Sequence, residues 1–234
     1  MSVLFFTRFS CQQFRGERAD RATVGRILTL GLPTLVQMGS LSVVLVVMNG
    51  LLAPRAGTVG VAAFGYVSRL AEFALAPFSA LCLAAAPIIG SSYGAGLHSR
   101  VRQTVVRTVQ LGLVYAVVAV AVCYALSGAL LGIFTRDPAI VQFGTHCLRR
   151  LAPALLFLPP VLTVSAYFQS VNRAKSALVT AGALPLCLCV GACLAAPLGT
   201  GAVWWAVPIA AAVCAVFCGA LYIRQAGKEE RRVL

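Results

Sequence analysis

The stretch VGVAAFGYVSRLAEFALAPFSALCLA, residues 59–84, decides the fold. It is long enough to cross a bilayer, whose ~30 Å hydrocarbon core takes about 20 helical residues. No period-two alternation of a barrel strand is present, so the backbone groups must be satisfied within a helix. Yet Arg69 and Glu72 lie near the centre of the stretch. A charged side chain there costs about 2.5–3.5 kcal/mol on insertion scales, so an ionisable residue inside a span marks a functional site by default.

Working outward, five more apolar runs of spanning length follow the same rule: residues 27–53, 104–133, 151–169, 174–198 and 201–223. Composition agrees: the chain is 60% hydrophobic and 11% charged with a mean hydropathy of +0.91, where soluble domains carry about 25% charged residues. The expected fold is an all-α membrane protein, a bundle of six transmembrane helices. Prolines inside the runs, among them Pro33, Pro77, Pro159, Pro160, Pro185 and Pro208, remove backbone donors and favour kinks. The Pro159-Pro160 pair is expected to break the ladder of the fourth span. Gly128 and Gly132, spaced as GxxxG in the third, are expected to let helices approach closely.

The net charge of +13 would suggest a nucleic-acid partner in a soluble protein. Here the basic residues fall between apolar runs, with no basic stripe interleaved with aromatics, so no nucleic-acid partner is expected and the lipid bilayer is the expected surrounding. Arg8, Arg15, Arg18, Arg21 and Arg26 precede the first span; Arg100, Arg102 and Arg107, then Arg173 and Lys175, then Arg224, Lys228, Arg231 and Arg232 fall on the same side. The other side holds Arg55, Arg136, Arg149 and Arg150. Positive loops stay inside, which predicts that both termini are cytoplasmic; the expected location is the plasma membrane, of bacterial inner-membrane type, as a multi-pass protein. The expected organisation is a basic cytoplasmic leader (1–26), a six-span lobe (27–223) and a charged cytoplasmic tail (224–234).

Catalytic signatures are missing from the sequence. There is no GxxxxGK[ST] phosphate loop, HExxH or GxSxG pattern, and His98 and His146 stand far apart, so an enzyme is not expected. Cys189 with Cys193, and Cys214 with Cys218, share helix faces as metal ligands would. Nothing nearby compensates thiolates in lipid, so these read as small apolar residues, and no metal or cofactor is expected.

The second span therefore holds the sharpest chemistry. Arg69 and Glu72, at i,i+3, lie on one helix face and partly neutralise each other. Tyr66 and Phe73 flank them, and aromatic rings beside a carboxylate suit an amphipathic cation. The same pair also fits a packing role alone, whereas a carboxylate that exchanges a proton as its surroundings open and close fits coupling. Gln37 in the first span and Gln169 near the inner end of the fourth are further candidates for substrate contact, although such residues also serve as interhelical glue.

Several segments, taken in order, resemble the C-terminal half of the multidrug and toxic compound extrusion (MATE) transporters. They are Gly31-Leu32-Pro33, then residues 61–66 with Arg69 and Glu72, Pro87-Ile88-Ile89-Gly90, Tyr93-Gly94-Ala95-Gly96, Arg100-Val101-Arg102, residues 133–137, Leu148-Arg149 with Pro153, and Phe168-Gln169. Their order and spacing up to Lys175 carry the resemblance; the last two spans fit by hydropathy only.

The resemblance implies a secondary antiporter that exports small cationic, lipophilic compounds in exchange for a coupling ion, proton or sodium. It also implies two six-helix lobes around a shared cavity, of which this sequence holds the second. Glu72 and Arg69 match the family's arginine-to-glutamate motif, so Glu72 carries over as a substrate or cation contact. The family's acidic residue in the first lobe has no counterpart. A truncated or half-length chain is thus expected, needing a second six-helix lobe from a homodimer or a separate chain. The alternatives are a transporter similar to the lipid-linked oligosaccharide flippases and a non-transporting scaffold or remnant lobe.

Overall fold

The computed structural model describes residues 21–233, and all of the regular structure among them is helical. The greater part of the expected basic leader, residues 1–20, lies outside the described residues. Helix α1 (Arg21–Gly94) is followed by α2 (His98–Phe134), α3 (Pro138–Leu151), α4 (Ala154–Ser170), α5 (Ala174–Ala195), a 3-10 turn (Ala196–Leu198) and α6 (Thr200–Val233).

Helix α1 is two arms. Its 74 residues would reach about 110 Å if straight, far beyond a ~30 Å hydrocarbon core. The helical dihedrals break at Gly57, with φ 58° and ψ −156°, a conformation open in practice to glycine alone. Met48 and Leu52 of the first arm share a core with Phe64 and Val67 of the second, while Gln37 and Met38 share a cavity with Cys82 and Ala86. Contacts that move apart in step on both sides of residue 57 describe an antiparallel hairpin.

Pro33, Pro54, Pro77 and Pro87 all sit inside α1 without departing from helical dihedrals. Undivided, α1 is one of four helices long and apolar enough to span, and the α3–α4 pair adds a fifth. Division at Gly57 makes six.

The fourth span differs from expectation. The helix continues through Pro159 and Pro160, and the bend, 53°, falls between α3 and α4 at residues 152–153. Pro153 explains it: a proline offers no N–H and crowds the preceding turn. Asp137 caps the start of α3, its Oδ1 accepting from the Ala139 amide at 3.0 Å.

Two buried cores are stacked along the bundle. One gathers Leu52, Phe64, Leu131, Leu148 and Trp204, the other Ile89, Val105, Phe168, Cys214 and Cys218. The reversal at Gly57 and the α2–α3 connection lie beyond the first core, with Arg55 and Arg136. The α1–α2 and α4–α5 connections lie beyond the second, with Arg100, Arg102, Arg173 and Lys175. There Arg173 donates from Nη1 to Gln225 Oε1, and Gln225 Nε2 donates to Ser176 Oγ, each at 2.7 Å, tying α6 to the α4–α5 corner.

Close approach of helices occurs where one side lacks a side chain. A Cβ placed on Gly112 of α2 would stand 2.3 Å from the Phe78 ring of α1. Tyr115 secures the same pair, its hydroxyl donating to the Ala74 carbonyl at 2.7 Å. Gly128 and Gly132 do not act this way: both are exposed, with nothing within 4 Å of a Cβ placed on either. Within the lobe, α2 turns Gly112 to its neighbours and leaves Gly128 and Gly132 facing out.

Candidate functional site on the outer face of the second arm

Helical spacing puts Arg69, Glu72, Phe73, Ala76, Ser79, Ala80 and Leu83 along one stripe of α1, and all of them are exposed. Arg69 donates from Nη1 to Glu72 Oε2 at 2.9 Å, with side chains 68% and 47% exposed. This is the one ion pair among the described residues. Phe73, 69% exposed, stands next to it. Tyr66 faces another way: half-buried, it packs against the first core with its ring centroid 5.9 Å from that of Phe134. The carboxylate therefore has Phe73 as its open aromatic neighbour, and Tyr66, one turn before Arg69, is half-buried against Phe134.

Two turns further along the stripe, Ser79 and Leu83 form one wall of a cavity of about 470 Å³. Its other walls bring together Gln37 and Met38 from the first arm and Ser165 and Gln169 from α4. Gln37 and Gln169, taken from different spans, thus meet in one cavity. Gln169 Nε2 donates to Ser165 Oγ at 3.3 Å, while Ser40 turns its hydroxyl back to the Val36 carbonyl of its own helix. Ser79 and Ser165 join Gln37 and Gln169 in lining this cavity, although the sequence candidates do not include them. The signal for both was spacing, since Ser79 lies seven residues after Glu72 and Ser165 four before Gln169. Asn49, near the outer end of the first span, has a buried Oδ1 with no partner among the described residues.

Chemically, the face offers one carboxylate held by one guanidinium, an open phenyl ring, and a cavity lined by amides, hydroxyls and aliphatic groups. Among the described residues no group of three or more His, Cys, Asp or Glu side chains is placed to hold a metal ion. Hydrogen bonding to a cation or to an uncharged polar group is within reach of these residues; a hydrolytic nucleophile–base pair is not among them.

The MatE family model matches residues 33–194, most of the chain. The multidrug export protein MepA of Staphylococcus aureus (strain N315) is 24% identical over 205 residues, covering 85% of this chain and 44% of its own length. A crystal structure of MATE in complex with MaL6 superposes with a TM-score of 0.89 at 18% identity, over 98% of this chain and 54% of that one. The outward-facing conformation of a multidrug resistance MATE family transporter of the MOP superfamily gives 0.87 at 20% identity, over 94% and 50%. The chain spans about half the length of the relatives it matches. With the family model covering residues 33–194 in an all-helical membrane fold, this chain belongs to the MATE family of membrane transporters.

Proposed function

We propose that the chain is the second lobe of a multidrug efflux antiporter, exporting small cationic, lipophilic compounds in exchange for protons or sodium ions. One observation carries this reading: Arg69 and Glu72 form an ion pair on an open helix face. A charged pair turned to lipid is expensive, and ionisable residues in spans nearly always face a bundle interior or a water-filled cavity. Such a face needs a second wall. In alternating access that wall is the other half of the transporter, which rocks against this one around a shared site.

Support for the substrate class is chemical. A carboxylate beside an exposed ring attracts a lipophilic cation through charge and ring face together, and the relative MepA is a multidrug export protein. Glu72 is the proposed cation or substrate contact, Arg69 its partner, and Phe73, Gln37 and Gln169 the substrate surface, with Tyr66 one turn before Arg69. In this reading a complementary six-helix lobe supplies the other wall of the cavity. In the same reading this lobe sits in the plasma membrane, and the positive charge of the connections at one end supports cytoplasmic termini. A lipid-linked oligosaccharide flippase is less well supported, because the deep guanidinium that would meet a pyrophosphate is already engaged by Glu72.

The experiment is efflux of the lipophilic cation ethidium from energised vesicles carrying this chain, alone or with a complementary lobe, under an imposed proton or sodium gradient. Gradient-driven efflux that falls at least tenfold in Glu72→Gln supports the proposal. Equal efflux by wild type and variant removes Glu72 from the mechanism, and no efflux with any partner lobe favours a non-transporting scaffold.

A further inference from the structure

At the basic end of the bundle, a cleft of about 420 Å³ opens between the second arm of α1 and α2. Arg100, Gln103, Thr104 and Arg107 form its α2 wall nearest the connection; Leu81, Ile88 and Leu111 line it too. The two helices run in opposite directions, so Arg100 and Ile88 lie toward the connection, while Leu81 and Leu111 lie deeper. The cleft is therefore polar at its mouth and apolar in depth. Arg102 and Gln110 extend the polar ridge on an adjoining groove that Gln103 and Arg107 share.

Depth in the bilayer sharpens this. The 37 residues of α2 reach about 55 Å against a ~30 Å hydrocarbon core, so part of the helix extends past the core, and its basic residues and most of its polar ones are gathered at the end nearest the α1–α2 connection. Arg100, Arg102 and Arg107 therefore lie toward the headgroup layer, and Leu111, further along the helix, toward the acyl chains. The acidic side chains described elsewhere are occupied: Glu72 accepts from Arg69, and Asp137 caps α3 at the opposite end. No ion pair is formed by Arg100, Arg102 or Arg107 among the described residues.

We propose that this cleft binds an anionic phospholipid of the adjacent leaflet, its phosphate held by Arg100 and Arg107 and one acyl chain lying along Leu81 and Leu111. Guanidinium groups present several donors to phosphate oxygens in a fixed fork, a better match than to a neutral headgroup. Each basic residue at an anionic surface favours binding by about fivefold. The apolar depth of the cleft distinguishes the ligand from a free anion. The site is independent of whether the lobe transports, because it lies on the α2 side of the arm, away from the Glu72 stripe.

The test is native mass spectrometry of the full chain in a neutral detergent, titrated with phosphatidylglycerol or phosphatidylcholine. Phosphatidylglycerol should be retained at least tenfold more strongly, Arg100→Gln/Arg107→Gln should fall to the phosphatidylcholine level, and Arg100→Lys/Arg107→Lys should keep most of the preference. Arg136→Gln, at the other end, should bind as wild type and serves as the folding control. Equal retention of both lipids overturns the proposal, as does unchanged preference in the double Gln variant. Displacement of the lipid by equimolar inorganic phosphate overturns it in favour of a free-anion site, and exclusion of lipid on dimer formation in favour of a protein interface.

Discussion

Arg69 and Glu72 are joined at 2.9 Å on the side of their helix that the rest of the lobe leaves uncovered. In water, such an exposed pair contributes about 0–1 kcal/mol. While the span inserts, before a second wall closes a water-filled cavity over this face, removing one partner strands the other charge in lipid. Arg69→Gln and Glu72→Gln should each lower the yield of folded, membrane-inserted protein. The double variant Arg69→Gln/Glu72→Gln should recover most of it. Thermal unfolding in detergent and protease protection in membranes measure the effect; a double variant worse than either single one contradicts the pairing.

The hairpin at Gly57 sets the topology. Thr58 and Arg136 lie beyond the first core, Gly96 and Asn172 beyond the second. Cysteines introduced at Thr58 and Arg136 should react with an impermeant thiol reagent from one side of the membrane, and those at Gly96 and Asn172 from the other. Labelling of Thr58→Cys and Gly96→Cys from the same side would remove the reversal.

Gly112 and Phe78 test the packing. Filling a site where a Cβ would stand 2.3 Å from a buried ring forces displacement, and overpacking typically costs about 1–3 kcal/mol. Gly112→Val should lower the unfolding midpoint, and Phe78→Ala should restore part of the loss when combined with it, as contacting residues couple. Additive losses contradict the contact.

The shared cavity of Gln37 and Gln169 bears on affinity. Loss of one neutral hydrogen bond costs about 0.5–1.5 kcal/mol, equivalent to about two- to tenfold in binding. Gln37→Ala and Gln169→Ala should each raise the apparent KM for ethidium efflux by that factor while changing the maximal rate less. A fall in rate at constant KM points away from substrate contact.

Much of the architecture is legible in hydropathy, because each apolar run must be satisfied within its own helix. The break between the first two spans is also visible, at Pro54 to Thr58, where an arginine and a glycine interrupt the run. What escapes is the geometry that only neighbours decide. The bend of the fourth span falls at Pro153 instead of at Pro159-Pro160, since a helix in a packed bundle tolerates prolines whose neighbours satisfy the freed carbonyls. Tyr66 looks like part of the charged stripe by number, yet Phe134, from the far end of α2, draws it aside. Gln37 and Gln169 are adjacent only after three spans have folded back, a relation that no local spacing encodes.

The proposed function requires the Arg69–Glu72 face to line an aqueous cavity, not lipid. Reaction of Phe73→Cys with an impermeant thiol reagent in native membranes, compared with Val114→Cys on the exposed side of α2, measures this directly. Rapid labelling at position 73, slowed by ethidium, is expected, with little at 114. Equal and negligible labelling at both positions would contradict an aqueous cavity.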